Sequence, residues 1–100
     1  MSKPVLTLDG SKMTDLSAFY NEVSRSLIPG ARWGRNKDAL SDILRGGFGT
    51  PDGGFILRWL NADESRKLLG QTLFDELVEI IRIHGPGGAE HEDGVDLDLA

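Results

Sequence analysis

Asp38 and Asp42 stand four residues apart, with Ser41 beside them, in a stretch of helical periodicity. That spacing puts all three on one face of a helix. Carboxylates displayed this way either solvate a surface or pair with the cations of another molecule through charge-assisted hydrogen bonds. Trp33 lies just upstream in a loop, where an indole does little for solubility. Aromatic side chains beside charged groups are frequent at the centres of protein interfaces; the plain alternative for Trp33 is packing over the edge of the core.

The other candidates for chemistry are poorer. His84 and His91 are the only histidines. Hydrolysis of RNA by acid and base needs both groups positioned, with cations for the phosphate. His84 falls near a helix end and His91 in a loop between Glu90 and Glu92, and both read as solvated positions. Glu90, His91, Glu92 and Asp93 are metal-ligand types, but neighbours in one loop rarely converge on one ion. Gly46-Gly47-Phe48-Gly49 lacks the lysine and the strand–turn–helix setting of a phosphate-binding loop. No serine sits in a nucleophile elbow. The sequence therefore offers no catalytic residue, no metal ligands and no cofactor, and it reads as a binding protein rather than an enzyme.

Hydrophobic patterning supplies the elements that must hold Asp38 and Asp42 in place. Val5–Leu8 predicts a strand leaving through Asp9-Gly10. Thr14 or Asp15 can cap a helix whose apolar residues Leu16, Phe19, Tyr20, Val23 and Leu27 recur at helical spacing, and Pro29-Gly30 ends it. Asn36 is the expected N-cap of a second helix with Ala39, Leu40, Ile43 and Leu44 inward, stopped by Gly46-Gly47. The nearly continuous apolar run Phe55–Leu60 predicts a strand covered on both faces. Asn61 or Asp63 caps a short helix ending at Gly70, and Thr72 opens another whose stripe is Leu73, Phe74, Leu77, Ile80 and Ile81, ended by Gly85-Pro86-Gly87-Gly88. Val95–Leu99 alternates and predicts an edge strand with one wet face. Helices between successive strands require crossovers, so the expected fold is α/β, a three-stranded parallel sheet with about four helices.

With 100 residues the chain is expected to form a single domain over 1–100. It has no cysteine, which favours a reducing compartment. It shows no signal peptide and no apolar run of ~20 residues, so the expected location is cytoplasmic, with no membrane contact. The net charge of −5 is unevenly spread: residues 1–50 carry a net of +2 and residues 51–100 a net of −7. An acidic chain without a basic stripe argues against direct binding of nucleic acid.

The segment Trp33-Gly34-Arg35-Asn36-Lys37-Asp38-Ala39-Leu40-Ser41-Asp42-Ile43-Leu44 resembles the defining stretch of the barstar family of intracellular ribonuclease inhibitors. Leu8-Asp9-Gly10, Asp15-Leu16 and Leu57-Arg58-Trp59 extend the likeness across nearly the whole chain. It is most similar to bacterial inhibitors of guanyl-specific ribonucleases. The resemblance implies the same α/β fold, and a second helix and preceding loop that plug the enzyme's active site. Asp42 would take the place of the RNA phosphate and Asp38 would lie one turn earlier. Gly34 and Asn36 would shape the loop, and Glu79 would supply a further acidic contact. Arg32, Trp33, Arg35, Ser41 and Arg45 complete the partner-binding set. The implied partner is a secreted microbial ribonuclease, met by a free monomer.

Two positions depart from the family pattern: Ser41 stands where an aromatic is frequent between the aspartates, and Arg32 where an aromatic usually precedes Trp33. Arg32, Arg35, Lys37 and Arg45 also outnumber Asp38 and Asp42, giving this face a net of +2. That charge predicts a target whose active-site rim is less basic, or acidic. The competing readings are a barstar-like module turned to another partner, and a small ribonuclease using His84 or His91.

Overall fold

Short apolar runs alternating with amphipathic stretches yield β1 (Val5–Asp9), α1 (Leu16–Leu27), α2 (Lys37–Arg45), β2 (Phe55–Leu60), α3 (Ala62–Leu69), α4 (Gln71–Arg82) and β3 (Val95–Leu99). Single 3₁₀ turns cover Gly10–Lys12 and His91–Asp93. The computed structural model describes residues 3–46 and 48–100; Gly47, expected to help stop the second helix, lies outside them. The strands form one parallel sheet in the order β1-β2-β3, with Leu8 opposite Trp59 and Trp59 opposite Leu99. This is the α/β architecture expected from the sequence.

The strand order explains one departure. Both crossovers advance the same way across the sheet, and right-handed connections advancing together place their helices on the same face. Phe55, Leu57 and Trp59 are buried beneath them, but Arg58 and Leu60 are exposed and Ile56 is intermediate. β2 is thus covered on one face, not two. The open face carries ion pairs, Arg58 Nε to Asp98 Oδ2 between β2 and β3 at 2.9 Å and, from just ahead of β1, Lys3 Nζ to Asp96 Oδ2 at 3.2 Å.

Trp59 is fully buried, with ring centroids of Phe19 and Phe74 at 5.5 and 5.1 Å. Its Nε1 donates to Ser65 Oγ at 2.8 Å, and that hydroxyl donates to the Gly10 carbonyl at 3.0 Å. Leu8, Met13, Leu40, Ile43, Leu77 and Ile81 complete the centre of the core. Burying each such side chain contributes about 1.5–3 kcal/mol.

Asp15, not Thr14, caps α1, its carboxylate accepting from the Ala18 amide at 2.8 Å. One α1 residue breaks the apolar pattern of the buried side. Glu22 is 5% exposed, and its Oε1 accepts the Asp9 amide at 2.8 Å while both its oxygens take Arg25. Arg25 Nη2 reaches on to the Thr7 carbonyl at 3.2 Å. The pair thereby satisfies free edge groups of β1, which would otherwise invite pairing with another strand. Hydrogen bonding to the Arg25 guanidinium, above all, holds the Glu22 carboxyl below its usual range.

Asn61 stands at the α3 N-cap in a left-handed conformation without capping it; its amide donates to Asp9 Oδ1 at 3.3 Å instead. α4 begins at Gln71, one residue before the expected Thr72, and buries Phe74, Leu77 and Ile81 with Leu73 and Ile80 at the margins.

Candidate functional site

α2 is a nine-residue helix, shorter than is stable alone, so its ends and its packing decide its position. Asn36 Oδ1 accepts from the Ala39 amide at 2.8 Å. Leu40, Ile43 and Leu44 are buried. Gly46 ends the helix at φ +100°, a conformation that favours glycine, and its amide bonds to the Ile43 carbonyl at 3.0 Å. Asp38 and Asp42 are exposed on the opposite face, with Ser41 half-buried. Asp38 lies in the first turn and Arg45 in the last, each where the helix dipole favours its charge.

The loop before α2 is pinned to α1 at two points. Trp33 Nε1 donates to Ser24 Oγ at 2.7 Å, and the indole meets the Tyr20 ring edge-on at 5.2 Å and 89°. Arg35, at φ +51°, sends Nη2 to Asn21 Oδ1 at 2.7 Å and to the Ser17 carbonyl at 3.3 Å. Between them a Cβ on Gly34 would stand 3.1 Å from Asn36 Nδ2, closer than a side chain sits easily, and in contact with Ala39 Cβ at 3.4 Å. Trp33 therefore packs over the core edge, the plainer of its two readings. Arg32 is exposed.

The charges on this surface come from three elements, not one. Arg45 Nη1 bonds Asp42 Oδ1 at 2.7 Å. The rest of its guanidinium forks onto Glu90, Nε to Oε1 at 2.9 Å and Nη2 to Oε2 at 3.1 Å. Lys37 pairs with Glu76 on α4. Hydrogen bonding between Arg45 and Glu90 raises the Arg45 pKa and lowers that of Glu90. Adding Glu76 and Glu90 turns the net of +2 on the helix and loop into zero. Neither acid was legible in the local pattern, because each lies about forty residues from the cation it meets. Glu79 is exposed on α4, almost one turn beyond Glu76.

A family model described as Barstar (barnase inhibitor) matches residues 3–96, nearly the whole of this sheet, helix and loop arrangement. The chain belongs to the Barstar family. No curated protein matches it.

One corner of this Barstar-family chain differs from expectation. His84 is fully buried rather than solvated, with Nδ1 2.7 Å from Asp93 Oδ2. The carboxylate acceptor assigns the ring proton to Nδ1. His84, Glu90 and Asp93 bring their ligand atoms within 4.8 Å of one another, so the acids of this loop do converge, on His84 rather than His91. A metal on Nδ1 would force the proton to Nε2, which is buried without a partner among the described residues, and ligating histidines almost always donate from their other nitrogen. The cluster fits a hydrogen-bonded anchor better than an ion site. His91 is exposed, with Nδ1 3.3 Å from the Gly88 carbonyl. Among the described residues, no helix is long and apolar enough to cross a membrane.

Proposed function

We propose that this chain inhibits a guanyl-specific ribonuclease by docking α2 and the loop before it in the enzyme's active site, with Asp42 in the place of the scissile phosphate. The observation that carries the reading is Asp42 itself. Its side chain is 59% exposed on a helix capped at both ends, behind a loop tied to α1, within a Barstar-family chain. A ribonuclease must hold cations where the phosphate sits, and a carboxylate answers them with charge-assisted hydrogen bonds. Removing that carboxylate from water costs several kcal/mol unless the pocket satisfies it fully, so a helix already fixed in place is the right carrier.

On this reading the chain is a protein-binding inhibitor and not an enzyme, and its ligand is a secreted protein rather than nucleic acid. An inhibitor that protects the producing cell works in a reducing cytoplasm, where a chain without cysteine loses nothing. Arg32, Gly34, Arg35, Asn36, Asp38 and Ser41 line or shape the contact surface, with Trp33 anchoring the loop from behind and Glu79 at the α4 side. A near-neutral surface is steered only weakly toward a basic enzyme, so the favoured target has a rim that is not strongly basic.

The test is inhibition of purified guanyl-specific ribonucleases, one basic and one acidic, together with rescue of cells expressing the ribonuclease. Asp42→Ala should weaken inhibition more than any other single change. The expected loss is about 2–5 kcal/mol, as for truncating one member of a buried interfacial charge pair. An unchanged inhibition constant would remove the plug, and much tighter binding to the basic enzyme would contradict a rim that is not strongly basic. Neither inhibition nor rescue would favour a Barstar-type module turned to another partner.

A further inference from the structure

The structure assigns a positioning role to Glu90, outside α2 and its loop: it holds Arg45 so that Asp42 stays available to a cation of the partner. The inference rests on the reading of Asp42 as the inserted carboxylate. Arg45 follows Asp42 by three residues on the same helix, so the two would pair whatever else were present. A guanidinium can grip a carboxylate by two parallel hydrogen bonds, and such a grip would occupy both Asp42 oxygens. Here the Nε and Nη2 edge of Arg45 is given to Glu90 at 2.9 and 3.1 Å. Asp42 keeps one hydrogen bond, from Nη1 to Oδ1 at 2.7 Å, and among the described residues nothing hydrogen-bonds its Oδ2.

Glu90 can do this because its side chain is the least exposed of the three and its backbone is tied into the loop. Its amide donates to the Ile83 carbonyl at 2.9 Å and its carbonyl accepts from Asp93 at 3.1 Å. Asp93 is in turn fixed to the buried His84, whose Nδ1 lies 3.8 Å from Glu90 Oε2. Side-chain exposure climbs along the series, from 1% at His84 through 33% at Glu90 and 46% at Arg45 to 59% at Asp42. The anchor is buried and the tip is wet. Exposed ion pairs are individually weak, so a partner's cation can replace Arg45 on Asp42 easily. Arg45, once released, is still neutralised by Glu90. Without Glu90 it would compete with the incoming cation for Asp42 and then stand unpaired against it as the interface loses water.

The experiment compares wild type, Glu90→Gln, Arg45→Ala, Arg45→Ala with Glu90→Gln, and Asp42→Asn against a purified guanyl-specific ribonuclease. Glu90→Gln should raise the inhibition constant about fivefold to tenfold, the effect of weakening a single charge pair at an interface. In the Arg45→Ala background the same substitution should change it by less than about twofold, because the competitor is gone. Damage to folding alone would persist in that background. Inhibition by Glu90→Gln equal to wild type, or an equal effect of Glu90→Gln with and without Arg45, would overturn the proposal. If neither wild type nor Asp42→Asn inhibits, the ribonuclease reading has failed, and the anchor is then read by NMR of the Arg45 Nε–H. That proton should exchange slowly in wild type and quickly in Glu90→Gln; equal exchange in both would overturn the proposal on its own.

Discussion

Replacing Trp33 by Phe tests whether the indole clamps the loop or faces a partner. The substitution keeps a ring against Tyr20, now at 5.2 Å, and removes the 2.7 Å hydrogen bond from Nε1 to Ser24 Oγ. A neutral hydrogen bond of this kind contributes about 0.5–1.5 kcal/mol net. Ser24 is only half-buried, so its freed hydroxyl can turn to water and the penalty stays near the middle of that range. Trp33→Phe also loses ring area, which a double-mutant cycle with Ser24→Ala subtracts. The coupling between the two positions should be about 1 kcal/mol, and a loss of that size lowers Tm by about 5 °C in a domain of this length. Urea unfolding followed by far-UV circular dichroism measures it, since removing a tryptophan changes the fluorescence baseline. Effects that add within about 0.3–0.5 kcal/mol would show the bond is not made. In the inhibition assay Ser24→Ala should reproduce most of the effect of Trp33→Phe. A large loss with Trp33→Phe and none with Ser24→Ala would refute the clamp and restore the indole as a contact residue.

Glu22→Gln should destabilise the fold by about 2 kcal/mol near neutral pH, because a nearly buried carboxylate then no longer serves the Asp9 amide and Arg25 as a charge. The Glu22 carboxyl is held below its usual 4.5 in the folded chain, so its extra stabilisation is present above that value and fades as pH falls through the lowered one. Urea midpoints across pH should therefore converge between wild type and the variant on the acid side; a difference independent of pH would contradict the assignment. Ser65→Ala should cost about 2 kcal/mol by orphaning the buried Trp59 Nε1–H. The Gly10 carbonyl keeps the Met13 amide at 3.3 Å, so a loss twice as large is not expected. Thermal unfolding of the variant checks the figure.

Local regularities were enough for the element order. Leu16, Phe19, Tyr20, Val23 and Leu27 mark a helix by spacing alone, Asn36 and Gly46 mark the ends of another, and strand–helix–strand alternation implies parallel pairing. The same spacing put Asp38 and Asp42 on one face, and the residues around them carried the family resemblance. The two-sided cover assigned to Phe55–Leu60 failed because an apolar run does not say how many layers the chain can supply. Two crossovers advancing the same way supply only one, so Arg58 is left to meet Asp98 across strands in solvent.

Partners distant in sequence were invisible for a related reason. The hydrogen bond that turns Trp33 toward Ser24 spans nine residues, and the fork of Arg45 on Glu90 spans forty-five. Nothing in either residue's neighbourhood encodes its partner, since hydrogen bonds and ion pairs depend on distances that only packing sets. Sequence by itself determined which carboxylates stand on the exposed face of α2. Tertiary structure decided how free they are: Asp42 shares Arg45 with Glu90, and the charge of the face falls from +2 to zero because helices and loops far apart in the chain must fold over the one covered side of the sheet.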